Sequence, residues 1–407
     1  MMSAPIPASR SFLGERAHPL AHVLRGERRL ALSAPVRLRL GPTRWLVRPK
    51  RLAQLLELPS GGQTALRIGG PAAESWLKQL GARVETPPRN ATWAVSGPHV
   101  RLVPAKPGLQ LDAVGSVQAV LHAALRRQVR VAQLVVEEEP AKRTTAQASK
   151  MGINALVSTY TTIYGGIPNR IHNVELVAHL VNDKLIAPGE TFSFNKTTGA
   201  RNAAKGFLVA PVIVNGELTT GLGGGVCQVS TTVFNAAFEA GVQITDRTNH
   251  ALYISHYPQG RDATVDYPDV DLKFVNDTDH WLLLRTFVGP SSLTVSLYGT
   301  PTGRKVESTT SPLVTRGKAP VKKTVDPTLK PGEKVIDDPG EPSLATSVTR
   351  DVYAADGKLL YHNVWYSSYR SSPELLRVGP KKKKPAKAKK PASPTTTQTT
   401  PSTQPSG

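Results

Sequence analysis

The chain holds one cysteine in 407 residues, and it ends a glycine run: GGGVCQVSTTVF, residues 223–234. Beyond Cys227, the residues Val229, Val233, Ala236, Ala237 and Ala240 form an apolar helical stripe, and Gly241 suits the position just past a helix end. The spacing predicts a helix with Cys227 at its first turn. Unpaired backbone N–H groups there favour an anion and lower the pKa of a thiol. Gly223, Gly224 and Gly225 let the backbone approach a ligand and aim N–H groups at a developing oxyanion. Gln228 and Ser230, on the same first turns, join the glycines as candidate ligand contacts.

A nucleophilic thiol needs a base. His250 and His256 follow in NHALYISHYPQGRDATVDY. If residues 251–257 form a strand, the two histidines share parity and face one side. Asp262, from the next strand, is the candidate to orient an imidazole, with His250 as base and His256 as a ligand contact. Cys, then His, then Asp is also the chain order of papain-like and transglutaminase-like cores, an analogy of order alone. Arg201, Arg247 and Arg261 are candidate carboxylate contacts. Each residue also has an ordinary reading: a lone cysteine is a small buried hydrophobe, glycines shape loops, and arginines sit in solvent. The histidine spacing matches no standard metal motif. No metal and no cofactor are expected.

The elements that must position these residues are legible as an α+β, multidomain chain. Residues 1–31 read as a basic, loose lead-in. Residues 32–139 alternate short strands with amphipathic helices, among them residues 71–84, closing at Gly81, and residues 111–127, with residues 129–139 as a final strand. Residues 140–152 are polar and read as a linker or lead-in helix. Residues 153–300 form a second α+β domain: a helix over 170–186, a strand over 191–195, a hairpin turning at Asn215 and Gly216, the cysteine helix, then successive short strands. Residues 304–379 read as a small all-β module with turns at Gly332, Gly340 and Gly357. Residues 380–407 are a Lys/Pro/Thr-rich tail too polar to bury a core.

Net charge is +21, concentrated at the ends: residues 1–51 carry eleven Lys/Arg against two acids, and residues 380–407 carry seven Lys and no acid. This favours flexible basic arms near a polyanion such as wall polymer or an anionic membrane surface. No helix-turn-helix, RNA-binding sheet or zinc-finger pattern is present, so nucleic acid is an unlikely partner. One cysteine excludes an intrachain disulfide. No stretch of about 18 apolar residues suggests a membrane span, so the residues by themselves read as cytoplasmic.

PGETFSFN, TGARNAAKGF, VIVNG, GLGGGVCQVSTTVFNAAFEAGVQI and DRTNHALYISHYPQGRDATVDYPDVDLKFVN, in that order between residues 170 and 276, resemble the VanW family. Residues 34–139, with NATWAV and KPGLQLD, resemble the peptidoglycan-binding domain often placed before VanW domains. Residues 304–379, with TLKPGEKVIDDPGEPS and TRDVYAADGKL, resemble a G-five domain linked to amino-sugar or cell-wall binding. The resemblance implies an extracytoplasmic protein of the bacterial cell envelope, associated with glycopeptide (vancomycin) resistance. It also implies an anchor, which is not visible at this N-terminus; an incomplete start is expected. The family name supplies no biochemical activity.

Two readings follow. The first is an envelope protein that binds peptidoglycan or its precursors, with Cys227 structural. The alternative is a cysteine amidase or transpeptidase acting on peptidoglycan stem peptides through Cys227, His250 and Asp262. Thiol and imidazole on one pocket would favour the second; a packed thiol with both histidines facing solvent elsewhere would favour the first.

Overall fold

A computed structural model describes residues 19–57, 65–214 and 217–381. The chain divides into two compact units, the first made of residues 1–157, 279–283 and 298–301, the second of the remainder. The mixture of helices and strands matches the α+β, multidomain expectation. Among the described residues no helix is long and apolar enough to cross a membrane.

In the first unit, Val36–Leu40 pairs antiparallel with Thr43–Val47 and parallel with Val131–Gln133. Helices Pro49–Leu55, Gly70–Val84 and Ala113–Ala124 supply Leu52, Leu55, Trp76, Leu80, Val84, Val120 and Ala124 to the core beside this sheet. The Gly70–Val84 helix covers the expected 71–84, but Gly81 does not close it: Trp76, Leu80 and Val84 continue one buried stripe at four-residue spacing through that glycine. Two further expectations are corrected. Residues 19–31, part of the presumed loose lead-in, form a helix whose last residue, Ala31, is fully buried; residues 1–18 lie outside the described residues. The single strand expected over 129–139 is two, Val131–Gln133 and Val136–Glu139, with the latter paired to Gly108–Leu111. The break falls where the Val135 N–H donates to Ser116 Oγ, 3.0 Å, instead of a strand neighbour. The segment 140–152 contains a short helix, Thr145–Lys150, closed by a reciprocal Thr144–Gln147 capping box.

The second unit is built around the helix Val226–Glu239, almost every residue of which is buried. Helix Pro168–Val181 packs along it, presenting Asn173, Val174, Val177 and Val181 inward. A small sheet, Thr191–Ser193, Lys273–Val275 and Gln243–Asp246, stacks Phe192 on Phe274 at 4.8 Å. The strand expected over 191–195 stops at Ser193, whose hydroxyl caps the helical turn Phe194–Thr198 by accepting the Lys196 N–H. The hairpin Val209–Val214 with Glu217–Leu222 forms as expected; its turn, Asn215 and Gly216, lies outside the described residues.

Residues 251–257, expected to be a strand, are irregular, and residues 262–266 make only isolated bridges, Thr248 to Thr264 and Asp266 to Val270. The backbone groups here find tertiary partners instead: the His250 N–H donates to Asp262, and the Ala251 carbonyl accepts from the Arg370 N–H. Residues 304–379 are all-β. One sheet holds Lys305–Thr310, Val314–Gly317, Ser343–Tyr353 and Leu359–Tyr369; the other holds Val321–Val325, Glu374–Val378 and Lys334–Asp338. Residues 382–407 of the expected tail lie outside the described residues.

Candidate functional site

The three glycines before Cys227 each have a steric reason. Gly223 and Gly225 lie at φ +86° and +108°, which side chains rarely adopt. A Cβ on Gly224 would sit 2.4 Å from the Pro211 carbonyl oxygen, so the loop runs flush against the 209–214 strand. Asn173, fully buried, ties this together: its Nδ2 donates to the carbonyls of Gly224 and Leu208, and its Oδ1 accepts the Leu208 N–H, all at 2.9 Å. Sequence reasoning missed Asn173, although an asparagine on an otherwise apolar helix face was the available signal.

The loop delivers Cys227 to the first turn of its helix, half-buried, on a cavity of about 710 Å³. Its Sγ lies 3.5 Å from Thr264 Oγ1 and 3.6 Å from the Val265 carbonyl. His250 lines the same cavity. Asp262 Oδ2 accepts from both the backbone N–H (2.6 Å) and Nδ1 (2.7 Å) of His250. That bond fixes Nδ1 as the protonated nitrogen and leaves Nε2 for the thiol. Asp262 Oδ1 accepts from Tyr369 Oη at 2.8 Å and Arg247 Nη2 at 3.1 Å. The carboxylate is thus buried and saturated with donors.

The electrostatics follow from these contacts. Burial pushes the Cys227 thiol up, but the hydrogen bond and positive charge of His250 outweigh it and bring the thiol down to about 7. Burial likewise pushes His250 down, and the Asp262 hydrogen bond together with Cys227 reverses this, raising the imidazole to about 9. Burial raises the Asp262 carboxyl, yet His250 and Arg247 hold it below the ordinary carboxylate value. Between the two titrations the pair exists as thiolate and imidazolium.

The other anticipated residues are placed as follows. Arg201 borders the cavity, donates to Asn195 Oδ1 at 2.6 Å and leaves Nη1 without a hydrogen-bond partner among the described residues. His256 stands exposed at the cavity rim beside Tyr257; desolvation, then the charges of Arg170 and His250, lower its pKa. Gln228 faces the cavity but is bound within the fold, donating to Thr162 Oγ1 and the Ile163 carbonyl and accepting from Arg170 and Tyr257. Ser230 is fully buried, its hydroxyl donating to the Ala263 carbonyl at 2.6 Å, and it does not line the cavity. Arg247 stands behind Asp262, away from the cavity. Arg261 is not at the site: it lies over Phe238, 3.9 Å from the ring centre, and bonds Asn235 and Glu239. Besides Asn173, sequence reasoning missed Arg170, Thr264, Tyr257 and Tyr369.

Residues 169–298 match the family described as VanW like protein. "Uncharacterized protein YoaR" of Bacillus subtilis (strain 168) is 33% identical over 226 residues, spanning 55% of this chain and 73% of YoaR. "Vancomycin B-type resistance protein VanW" of Enterococcus faecalis (strain ATCC 700802 / V583) is 35% identical over 118 residues, spanning 27% of this chain and 42% of that protein. Among solved structures, the crystal structure of HP0197-G5 is similar at 20% identity and a TM-score of 0.11, over 19% of this chain and 97% of that one. The direct match over residues 169–298, with the identity sustained across 73% of YoaR, means that this chain belongs to the VanW family.

Proposed function

We propose that the protein is a cysteine acyl-transfer enzyme acting on peptidoglycan stem peptides. One observation carries the proposal: Cys227 and His250 share a cavity, and Asp262 grips His250 through two hydrogen bonds. In this reading the Cys227 thiolate attacks an amide carbonyl carbon and forms a C–S bond. The oxyanion is met by the backbone N–H of Cys227, since those of Val226 and Gln228 already donate to the carbonyls of Gly223 and Gly225. The His250 imidazolium gives its proton to the amide nitrogen as the C–N bond breaks, and a thioester remains on Cys227. Water or an acceptor amine then attacks the thioester while His250 takes up its proton, which restores the thiolate. Hydrolysis and transpeptidation differ only in this acceptor.

Arg170 and Arg201 border the cavity without an acidic ion-pair partner among the described residues, and they supply the positive charge that a substrate carboxylate would meet. Relationship to a vancomycin-resistance protein supports a cell-wall substrate and an extracytoplasmic site of action. In the same reading, the first unit and the basic ends hold the enzyme to the anionic wall.

The test is intact-protein mass spectrometry after incubation with stem-peptide fragments and acid quenching. A mass increment equal to the acyl portion, absent from Cys227→Ala, supports the reading. No increment and no peptide turnover, with a thiol that alkylates only after unfolding, would leave a wall-binding protein without catalysis.

A further inference from the structure

The strand Leu359–Tyr369 belongs to the C-terminal β module, but its end is built into the cysteine site. Tyr369, 2% exposed, donates its hydroxyl to Asp262 Oδ1 at 2.8 Å. Two residues earlier, Ser367 Oγ accepts from Arg247 Nη1 at 3.0 Å, while Arg247 Nη2 reaches Asp262 Oδ1. Between them the Ser368 carbonyl accepts from Asn249 Nδ2 at 2.8 Å, and the next N–H, of Arg370, donates to the Ala251 carbonyl at 2.7 Å. Tyr369 also meets Tyr253 edge-on at 5.2 Å. The segment 247–253, which carries His250, is thus held along its length by this one strand end.

The rest of the module reinforces the arrangement. Trp365 packs against Phe234 and Phe238 of the cysteine helix at 6.0 and 5.7 Å. Arg350, fully buried, donates to the carbonyls of Phe238 and Val242 at the end of that helix. A Cβ on Gly260 would meet Val348 at 2.8 Å, so the loop carrying Asp262 touches the module directly.

We propose, building on the cysteine reading above, that Tyr369 is the positioning residue for Asp262, with Ser367 holding Arg247, and that the β module is an integral part of the active site. A module serving only as a wall-binding appendage would have no reason to bury a hydroxyl on the acid of the site. The hydroxyl fixes the carboxylate so that Oδ2 stays with His250, and it spreads part of the negative charge away from the imidazole. The groups facing this pair are Arg247, Tyr369 and Ser367 around Asp262, and Cys227, Tyr257 and His256 around His250.

The test is an NMR titration of the His250 ring in the full chain. Tyr369→Phe keeps the ring and its packing but removes the donor. Because His250 still grips Oδ2 twice, the less dispersed carboxylate charge should raise the imidazole pKa by about half a unit or more. Ser367→Ala should move it the same way by less. Tyr366→Phe, on the same strand and 82% exposed, is the control and should leave it unchanged. A Tyr369→Phe titration that overlays the wild type in a folded protein, or a Tyr366→Phe shift of equal size, overturns the inference. The wild-type curve separately tests the cysteine reading: a His250 midpoint at or below the ordinary 6.5 contradicts that reading whatever the variants do.

Discussion

Asp262 binds His250 twice with one oxygen, taking the backbone N–H at 2.6 Å and ring Nδ1 at 2.7 Å. The acid therefore sets both the place and the tautomer of the imidazole. Its other oxygen is held by Arg247 and Tyr369, so no lone pair of this buried carboxylate is left to seek another partner.

Replacing Asp262 by Ala should be costly, because it strips the counter-charge from Arg247, whose side chain is 2% exposed. Breaking one partner of a buried pair costs about 3–5 kcal/mol. Urea unfolding of Asp262→Ala should show a loss of that size. The pH dependence has a defined sign. The folded-state pKa of Asp262 is depressed below 3.8, so its contribution is complete above that value and disappears as the pH falls through the depressed folded value. Wild type should lose stability on that acid side, and Asp262→Ala should lose less there. Equal acid sensitivity in the two proteins would contradict the assigned contact.

Gly224→Ala should disrupt the loop that presents Cys227. The added Cβ meets backbone atoms of Ala210 and Pro211 at 2.4 to 2.8 Å, and neither can yield as a flexible side chain would. Expected losses are about 1–3 kcal/mol, the usual scale for overpacking, together with slower thiol alkylation at neutral pH. An unchanged melting temperature would show that the loop does not press on the strand.

His256→Ala separates the two histidines. His256 sits at the rim, with its pKa lowered by desolvation and by Arg170 and His250, and only His250 has an acid behind it. The alkylation midpoint of Cys227 should therefore stay within a few tenths of a unit of wild type. A shift matching that of a His250 variant would make His256 a second base.

The cysteine helix and the β module were legible because their signals are local: a helical apolar stripe behind a glycine run, and alternation punctuated by Gly332, Gly340 and Gly357, all at positive φ. The His250 segment was misread as a strand because Tyr253, Ile254 and Tyr257 imitate strand composition, while its hydrogen bonds go to Asp262 and Arg370. Tyr369 lies 107 residues from Asp262 and Asn173 lies 51 from Gly224. Nothing in a local window distinguishes such residues from ordinary packing. Arg261 failed as a carboxylate contact for the same reason: a ring face and Glu239 occupy it.

The measurement that tests the cysteine reading most directly is the rate of Cys227 alkylation against pH, in wild type and His250→Ala. Wild type should react with a midpoint near 7, as the thiolate forms opposite an imidazolium that persists to about 9. In His250→Ala the largest downward influence on the thiol is gone, burial is opposed only by the contacts with Val265 and Thr264, and the midpoint should move upward from 7 toward the ordinary thiol value of 9.0. A wild-type midpoint at or above 9.0, unaltered by the loss of His250, would contradict an activated nucleophile.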